Sequence, residues 1–354
     1  MPPKKATKRT IAVTGASGYV ASRLIERLCA DEGVGRVLGF DIAPPSVYDA
    51  KFLFDTLDVR DAALEARLSG VDTVIHLAFV MDPIKDEAEM RDINVNGSQN
   101  VFNCAGRAGV RKILYTSSAI VYGAHPDNDM PLTEESPLRA NLDFSYSAHK
   151  LEVEYVVREF RGEFPKVTVT VFRPAIVFGP HVDNAWSHFL ELPLAVGISG
   201  YSPPFQFAHE DDVADALLFA ALEKDLDGAY NLAAEGWLTA DEALDIIKKR
   251  RVDLPEPIAF ALTDRMWSAG LVDAPAGMLH YVMHPWVMSV EKLKAAGFAV
   301  KHTNHEALSA AVQKAQRYLR VGRARARRDQ LKKGLLTGAG LAALLLVTRL
   351  RRSA

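Results

Sequence analysis

The sequence predicts an α/β fold, a doubly wound parallel sheet with a small, mostly helical C-terminal lobe. Three observations carry this expectation. Short apolar, β-branched runs alternate with helical patterns from Thr10 to Ala233. Strands separated by helices form βαβ units with right-handed crossovers, hence parallel strands. The length of 354 residues, 49% of them hydrophobic, suffices for about two domains, each with its own core.

Residues 1–9 are basic, carry two prolines and precede no apolar run, so they read as a disordered lead and not a secretory signal. Residues 10–14 are a buried strand, and a helical pattern runs through Leu24, Ile25, Leu28 and Cys29 to a second strand at 37–41. Further helices are expected at 61–68, 86–108 and 144–160, and strands at 71–78, 112–118 and 167–174. Residues 181–205, rich in proline, glycine and aromatics, read as a segment covering a pocket. A helix at 208–223 opens on Glu210, Asp211 and Asp212, acids at a positive helix end. A strand at 229–233 and a Thr-capped helix at 239–251 follow, and 255–312 reads as mostly helical. Residues 10–180 with 206–233 then form one domain, 181–205 with 234–315 a second lobe, and 316–354 a tail.

Net charge is −2, but residues 317–354 carry eleven Lys or Arg against the single acid Asp329, a net +10 that leaves −12 for the rest. An acidic body of this kind gives no sign of nucleic-acid binding. Cys29 and Cys104 match no disulfide or ligand spacing, which fits a reducing compartment. His125, His149, His181, His188 and His209 show no ligand spacing either, and no metal is expected.

The chemistry starts at the turn Gly15-Ala16-Ser17-Gly18-Tyr19-Val20-Ala21. Gly15 permits a tight turn off the strand, and Gly18 lets backbone N–H groups approach a pyrophosphate with no Cβ in the way. The following helix N-terminus attracts the anion. Asp41, ending the second strand, is placed to accept hydrogen bonds from an adenosine ribose. An acid there repels a 2′-phosphate and no cation directly follows it, so the loop predicts NAD and not NADP.

A second constellation is Tyr146 with Lys150, four apart on one helix face. An ammonium beside a phenol favours the phenolate and makes it a usable acid/base near neutral pH. Ser118 ends a strand of the same sheet, where α/β proteins place ligands.

These motifs, in this order, resemble the extended short-chain dehydrogenase/reductases, the group that includes NAD-dependent epimerases and dehydratases, and so imply a Rossmann-type domain. Thr14 to Ala21 is similar to TGxxGxxG except at Ala21, and Asn94 to Asn100 to NVxGTxN. Residues 116–123 resemble the catalytic-serine strand, Tyr146 to Lys150 the YxxxK pair, and 173–180 the RPxxVYGP turn. The resemblance implies Tyr146 as acid/base, Ser118 as the group holding the substrate oxygen, and Lys150 as partner of both the tyrosine and the nicotinamide ribose. Asn94 is implied either to order a proton-relay water or to cap its helix from within. Asp58 and Val59 would contact adenine, Leu77 and Ala78 would line the cofactor, and Arg173, Pro174 and Ile176 would complete its site with Ser17, Tyr19 and Val20. Homodimerisation through the helices of Asn94 and Tyr146 is common among lookalikes.

Departures narrow the reaction. Ala119 and Ile120 stand where sugar 4,6-dehydratases carry an acid pair, and Arg173 stands where nucleotide-sugar epimerases usually carry Asn. Residues 181–207 hold Trp186, Phe189, Leu190, Leu192, Leu194, Tyr201, Phe205 and Phe207 but no Lys or Arg to meet a diphosphate. The expected reaction is therefore hydride transfer between NAD and a small hydrophobic alcohol or carbonyl, steroid-like, as in the hydroxysteroid-dehydrogenase branch. The alternatives are a nucleotide-sugar epimerase, with Arg250, Arg251 or Arg265 meeting the phosphates, and a non-catalytic NAD-binding regulator. The uncharged stretch 334–348 would span about 22 Å as a helix, short of the roughly 30 Å hydrocarbon core. With the eight cations of 317–333 it suggests a cytoplasmic protein held at an anionic membrane by its tail, with burial at an oligomer interface as the alternative.

Overall fold

The computed structural model describes residues 8–321 and 324–330. The chain runs β1 (Arg9–Thr14), α1 (Tyr19–Ala30), β2 (Val34–Asp41), β3 (Phe52–Thr56), α2 (Leu64–Arg67) and β4 (Thr73–His76). It continues through α3 (Glu87–Arg91), α4 (Gly97–Arg107), β5 (Lys112–Thr116), α5 (Ser145–Glu163) and β6 (Thr168–Pro174). Next come β7 (Ile176–Phe178), α6 (Ala185–Phe189), β8 (Ala195–Ile198), β9 (Phe207–His209), α7 (Glu210–Leu222) and β10 (Gly228–Leu232). The last elements are α8 (Ala240–Ile247), β11 (Arg251–Leu254), α9 (Glu256–Ser268), α10 (Glu291–Ala295), α11 (Asn304–Ala315) and the hairpin β12 (Tyr318–Val321) with β13 (Ala324–Arg327).

Seven strands form one parallel sheet in the order β10-β6-β5-β4-β1-β2-β3. The chain winds outward from β1 in one direction and from β4 in the other, so the reversal opens a crevice at their carboxyl ends, where such sheets bind ligands. On one face α1 and α7 bury Leu24, Ile25, Leu28, Val213 and Leu217, and Arg27 ties the two helices through Asp211 at 2.6 Å and Asp215 at 2.7 Å. On the other face α4 and α5 bury Val101, Phe102, Val153 and Phe160. Layers on both faces explain why the strands read as continuous apolar runs. A separate cluster, including Phe178, Phe207, Met278, Tyr281, Trp286 and Leu308, lies under the C-terminal elements.

Several expectations change. The helix expected over 86–108 is two helices joined by a π-turn, Asp92–Asn96, which turns Asn94 inward. The expected helix at 61–68 shortens to α2. Helix α7 starts only at Glu210, because β9 pairs with β7 just before it. Helix α8 stops at Ile247, where Lys248 takes a left-handed conformation (φ 54°), and the chain goes on into β11 against β8. Residues 181–205 therefore hold a short helix and a strand. Edge strand β3 was not anticipated; its Leu53 is exposed and the strand is only partly covered.

The tail differs most from expectation. Within the basic stretch, Tyr318–Val321 and Ala324–Arg327 pair antiparallel and their Arg320 and Arg325 turn inward onto Glu191, Asp183 and Asp273, whereas Arg317, Arg327 and Arg328 stay exposed. Residues 1–7, Lys332, Lys333 and the stretch 334–348 lie outside the described residues. Among the described residues no helix is long and apolar enough to cross a membrane.

Gly15 is left-handed (φ +70°), and a Cβ there would come within 2.5 Å of the Ala78 amide nitrogen. Gly70 is left-handed too, at φ +75°, but with open space around it. Gly15→Ala is expected to cost more than the ~1–2 kcal/mol of left-handed strain alone, whereas Gly70→Ala pays only that strain. Urea midpoints of the two variants check this.

Candidate active site

The crevice holds a cavity of about 480 Å³ whose walls come from every part of the fold. The glycine turn contributes Gly15, Gly18, Tyr19 and Val20, with Leu77 beside it. Ser118, Tyr146, Lys150, Pro174 and Ile176 line the cavity too, and Met81, Asp82, Ile84, Asn184, Trp186 and Trp286 form the outer wall, where the Tyr19 hydroxyl reaches Met81 Sδ at 3.9 Å.

The turn fits a dinucleotide. No side chain caps α1, so the unpaired N–H groups of its first turn stay open beside Gly18. Asp41 accepts the Ser17 and Ala43 amides, one on each carboxylate oxygen at 3.0 Å, which fixes the acid beside the turn. The Ser17 hydroxyl is taken by the Ala43 carbonyl at 2.6 Å. Ala78 does not line the cavity; its backbone packs against Gly15 and holds the turn tight.

Asp58 and Val59 do not line the cavity. Hydrogen bonding from Arg60, at 2.7 Å, takes the Asp58 carboxylate and holds it below the usual range. Val59 is buried, and its carbonyl accepts the Asn100 amide at 2.8 Å. Asn100, in the motif that begins at Asn94, thus pins the turn after β3.

Arg173 is also displaced from the cofactor role. It is buried in a bidentate pair with Glu154, both bonds at 2.9 Å, and donates to the Tyr122 hydroxyl at 2.9 Å. Tyr122 in turn donates to Asn231 of β10 at 2.7 Å. The three guanidinium nitrogens of Arg173 are all committed, Nη1 also reaching the Glu134 carbonyl at 3.3 Å, whereas Pro174 and Ile176 beside it form the wall.

Tyr146, Lys150 and Glu154 follow each other at one-turn intervals along α5. Lys150 is buried, donates to the Thr116 carbonyl at 2.8 Å and lies 3.6 Å from the centre of the Phe79 ring. Burial pulls its pKa down to about 7, against the attraction of Glu154. Tyr146 is pushed up to about 12 by burial, a shift opposed by its hydrogen bond with Ser118. The sequence expectation was a depressed tyrosine. The correction is physical: desolvation disfavours the charged form of both groups and outweighs their mutual influence in the free chain.

Asn94 is fully buried. Its side chain accepts the Val80 amide at 2.7 Å and donates to the Val80 carbonyl at 2.9 Å. It therefore latches the loop carrying Leu77, Met81 and Asp82 along the cavity, and its amide nitrogen also lies 3.4 Å from the His149 ring nitrogen on α5.

Sequence reasoning missed Asp82, Asn184 and Trp286. Asp82 accepts the Ala185 amide at 2.9 Å, Asn184 caps α6, and Trp286 lies 6.2 Å from Trp186. They arrive from separate loops, and no local pattern marks them. Arg250, Arg251 and Arg265 do not line the cavity, and Arg251 is held by Asp253 and the Tyr201 carbonyl. Outside the cavity lining, His209 and His302 stack at 3.8 Å with Asp211 beside them, a grouping no sequence spacing announces, but Arg23 and Arg27 already occupy Asp211.

A doubly wound sheet with a glycine turn, an acid ending the second strand, and a crevice at the carboxyl ends of the strands is the frame of a dinucleotide-binding domain. The sequence profile of the NAD dependent epimerase/dehydratase family matches residues 11–233, and the chain belongs to that family, with NAD as its cofactor. An uncharacterised Mycobacterium tuberculosis protein is 27% identical over 84% of this chain and 82% of its own length. The N-acetyl-alpha-D-glucosaminyl-diphospho-ditrans,octacis-undecaprenol 4-epimerase of Escherichia coli O157:H7 is 32% identical over 48% of this chain and 49% of its own. Among solved structures, the UDP-glucose 4-epimerase of Thermotoga maritima with UDP-glucose shares the fold, with a TM-score of 0.68 and 20% identity over 86% of this chain and 98% of that one.

Two measurements test the site's electrostatics. Arg173→Ala or Glu154→Ala leaves one buried charge unpaired and is expected to cost about 3–5 kcal/mol by urea denaturation. Lys150 titrates near 7 when folded and near 10.5 when unfolded, so the unfolded chain holds the extra proton between those values. This contribution to stability therefore rises with pH from 7 towards 10.5, and its penalty is complete below 7. Lys150→Met is expected to flatten that rise relative to the parent chain in melts recorded across this window.

Proposed function

We propose that this chain catalyses redox-neutral epimerisation at a secondary-alcohol carbon of a sugar carried on a diphosphate, with NAD reduced and restored within one turnover. The observation that carries the reading is that Ser118, Tyr146 and buried Lys150 line one cavity together with the glycine turn. Family membership supports the reading, as do the 4-epimerase names of the Escherichia coli and Thermotoga maritima proteins.

Bound NAD supplies a hydride acceptor, and then a donor, at its nicotinamide ring. Tyr146 takes the proton of the substrate hydroxyl as the carbon is oxidised and returns it when the ketone is reduced from the other face. Ser118 donates a hydrogen bond to that same oxygen. Tyr146 is set to donate a proton in the free chain, and it releases one more readily when Lys150 is protonated, so the two titrate as a pair. Lys150 is held at that position by the Thr116 carbonyl and the Phe79 ring. Asn94 acts through the loop it latches, as a positioning residue. Gly15, Ser17, Gly18, Tyr19, Val20, Asp41, Leu77, Pro174 and Ile176 would hold the cofactor.

One observation favours a second reading, net oxidation of an apolar alcohol. Lys150 is the only cation among the described residues lining the cavity, and Met81, Ile84, Trp186 and Trp286 wall its outer end. Nicotinamide absorbance separates the two. A UDP-sugar interconverted without net NADH supports epimerisation, and stoichiometric NADH from a hydroxysteroid or similar alcohol supports oxidation. Under either reading Tyr146→Phe is expected to lower kcat roughly 10²–10⁴-fold with NAD affinity unchanged, and full activity in that variant rules out both.

A further inference from the structure

The outer wall of the cavity is carried by α6, a five-residue helix bearing Trp186. So short a helix has no stability of its own and must be held from outside. Asp183 stands just before it and Glu191 just after it, and Asp183, Asn184 and Trp186 line the cavity.

Both acids are answered by the C-terminal hairpin. Arg325 donates to Asp183 at 3.1 Å through one terminal nitrogen and to Glu191 at 2.5 Å through the other, so a single guanidinium bridges the two ends of the helix. Its plane lies over the Tyr318 ring, 3.8 Å from the centroid. Arg320 donates to the second face of Glu191 at 3.1 Å and to Asp273 at 2.5 Å. His188, within α6, is hydrogen-bonded to Asp183 at 3.2 Å and to Asp273 at 3.0 Å. Glu191 is 2% exposed and Arg320 is 7% exposed. A carboxylate buried to that degree requires a paired cation, and the hairpin supplies two. Elsewhere the segment is tethered by Lys249, which reaches main-chain carbonyls, by Lys314, which reaches the Val182 carbonyl and lies 3.9 Å from Asp183, and by Asp82, which accepts the Ala185 amide.

We propose that Arg320 and Arg325 are positioning residues for the substrate: the C-terminal hairpin clamps both ends of α6 and thereby fixes the Trp186 wall of the cavity. The proposal takes this cavity as the substrate site, as in the reading above, but it does not depend on which reaction occurs there. Loss of Arg325 removes the bridge between Asp183 and Glu191 and frees the two ends of α6, and loss of Arg320 as well leaves Glu191 charged and unpaired, so the wall moves outward in both variants. The glycine turn and Tyr146 are anchored elsewhere and stay in place.

The test uses the full-length chain with Trp237→Phe and Trp267→Phe, so that only Trp186 and Trp286 fluoresce. Acrylamide quenching and NADH binding are measured for the parent, Arg325→Ala, Arg320→Ala/Arg325→Ala, and Arg327→Ala. Arg327 is the control, since it lies on the same strand as Arg325 but is exposed and pairs with Asp329. The expected result is quenching raised about twofold or more in the first two variants, with NADH affinity and the control unchanged. With a UDP-sugar or hydroxysteroid that the parent turns over, KM is expected to rise severalfold while kcat holds. Quenching equal to the parent's, or raised as much by Arg327→Ala, overturns the proposal. So does a loss of NADH affinity in step with the quenching, which marks general loosening. If the double variant fails to fold, Arg325→Ala alone decides, because Arg320 still neutralises Glu191 there. A parent inactive on every substrate tried counts against the proposed reaction and leaves the quenching comparison intact.

Discussion

One buried carboxylate organises the centre of the molecule. Glu154 takes the Ser117 hydroxyl at 2.7 Å and both arms of Arg173, so it joins the loop after β5 to helix α5 and strand β6. Through Tyr122 and Asn231 the same network reaches β10 at the sheet edge. Tyr146 and Lys150 ride on the helix that Glu154 anchors, while Ser118 follows the residue it binds. The spacing between the serine and the tyrosine–lysine pair is thus set by an ion pair that never enters the cavity. Charges buried to this extent are expensive unless fully paired, which makes the arrangement all-or-none.

The sheet, the glycine turn and the tyrosine–lysine face were legible because each is written locally. Parallel strands covered on both faces require unbroken apolar runs, and a left-handed turn against backbone requires Gly15. Arg173 shows where such reading stops. Its place before Pro174 matched a cofactor motif, but its direction is decided by Glu154, a residue with no local mark of importance. Asn94 is similar: the motif located it, and only the π-turn reveals that its amide is consumed by Val80. Asp82, Asn184 and Trp286 were invisible because their only relation is to converge across loops from opposite ends of the chain. The arginines after α11 read as a uniform basic run, since the acids that claim two of them, Asp183 and Glu191, lie far upstream.

The cavity accordingly has two kinds of wall. The cofactor end and the reacting groups are built from contiguous motifs on strands and a long helix, which gives them rigid support. The outer end is assembled from a latched loop, a five-residue helix and aromatic side chains, with Tyr281 linking it to α5 through Ser147 at 2.6 Å. Such a division lets the outer parts change without disturbing the strands and the long helix that carry Ser118, Tyr146 and Lys150.

The hairpin that closes on α6 gives the molecule a temporal order as well as a spatial one. During synthesis the N-terminal portion emerges and folds first, and β10 completes the sheet before α11 and the hairpin exist. A growing chain therefore acquires its dinucleotide crevice well before the two arginines arrive to neutralise Glu191. Until they do, Glu191 lacks both cations that pair it in the complete chain, so α6 is the last part of the cavity wall to be fixed.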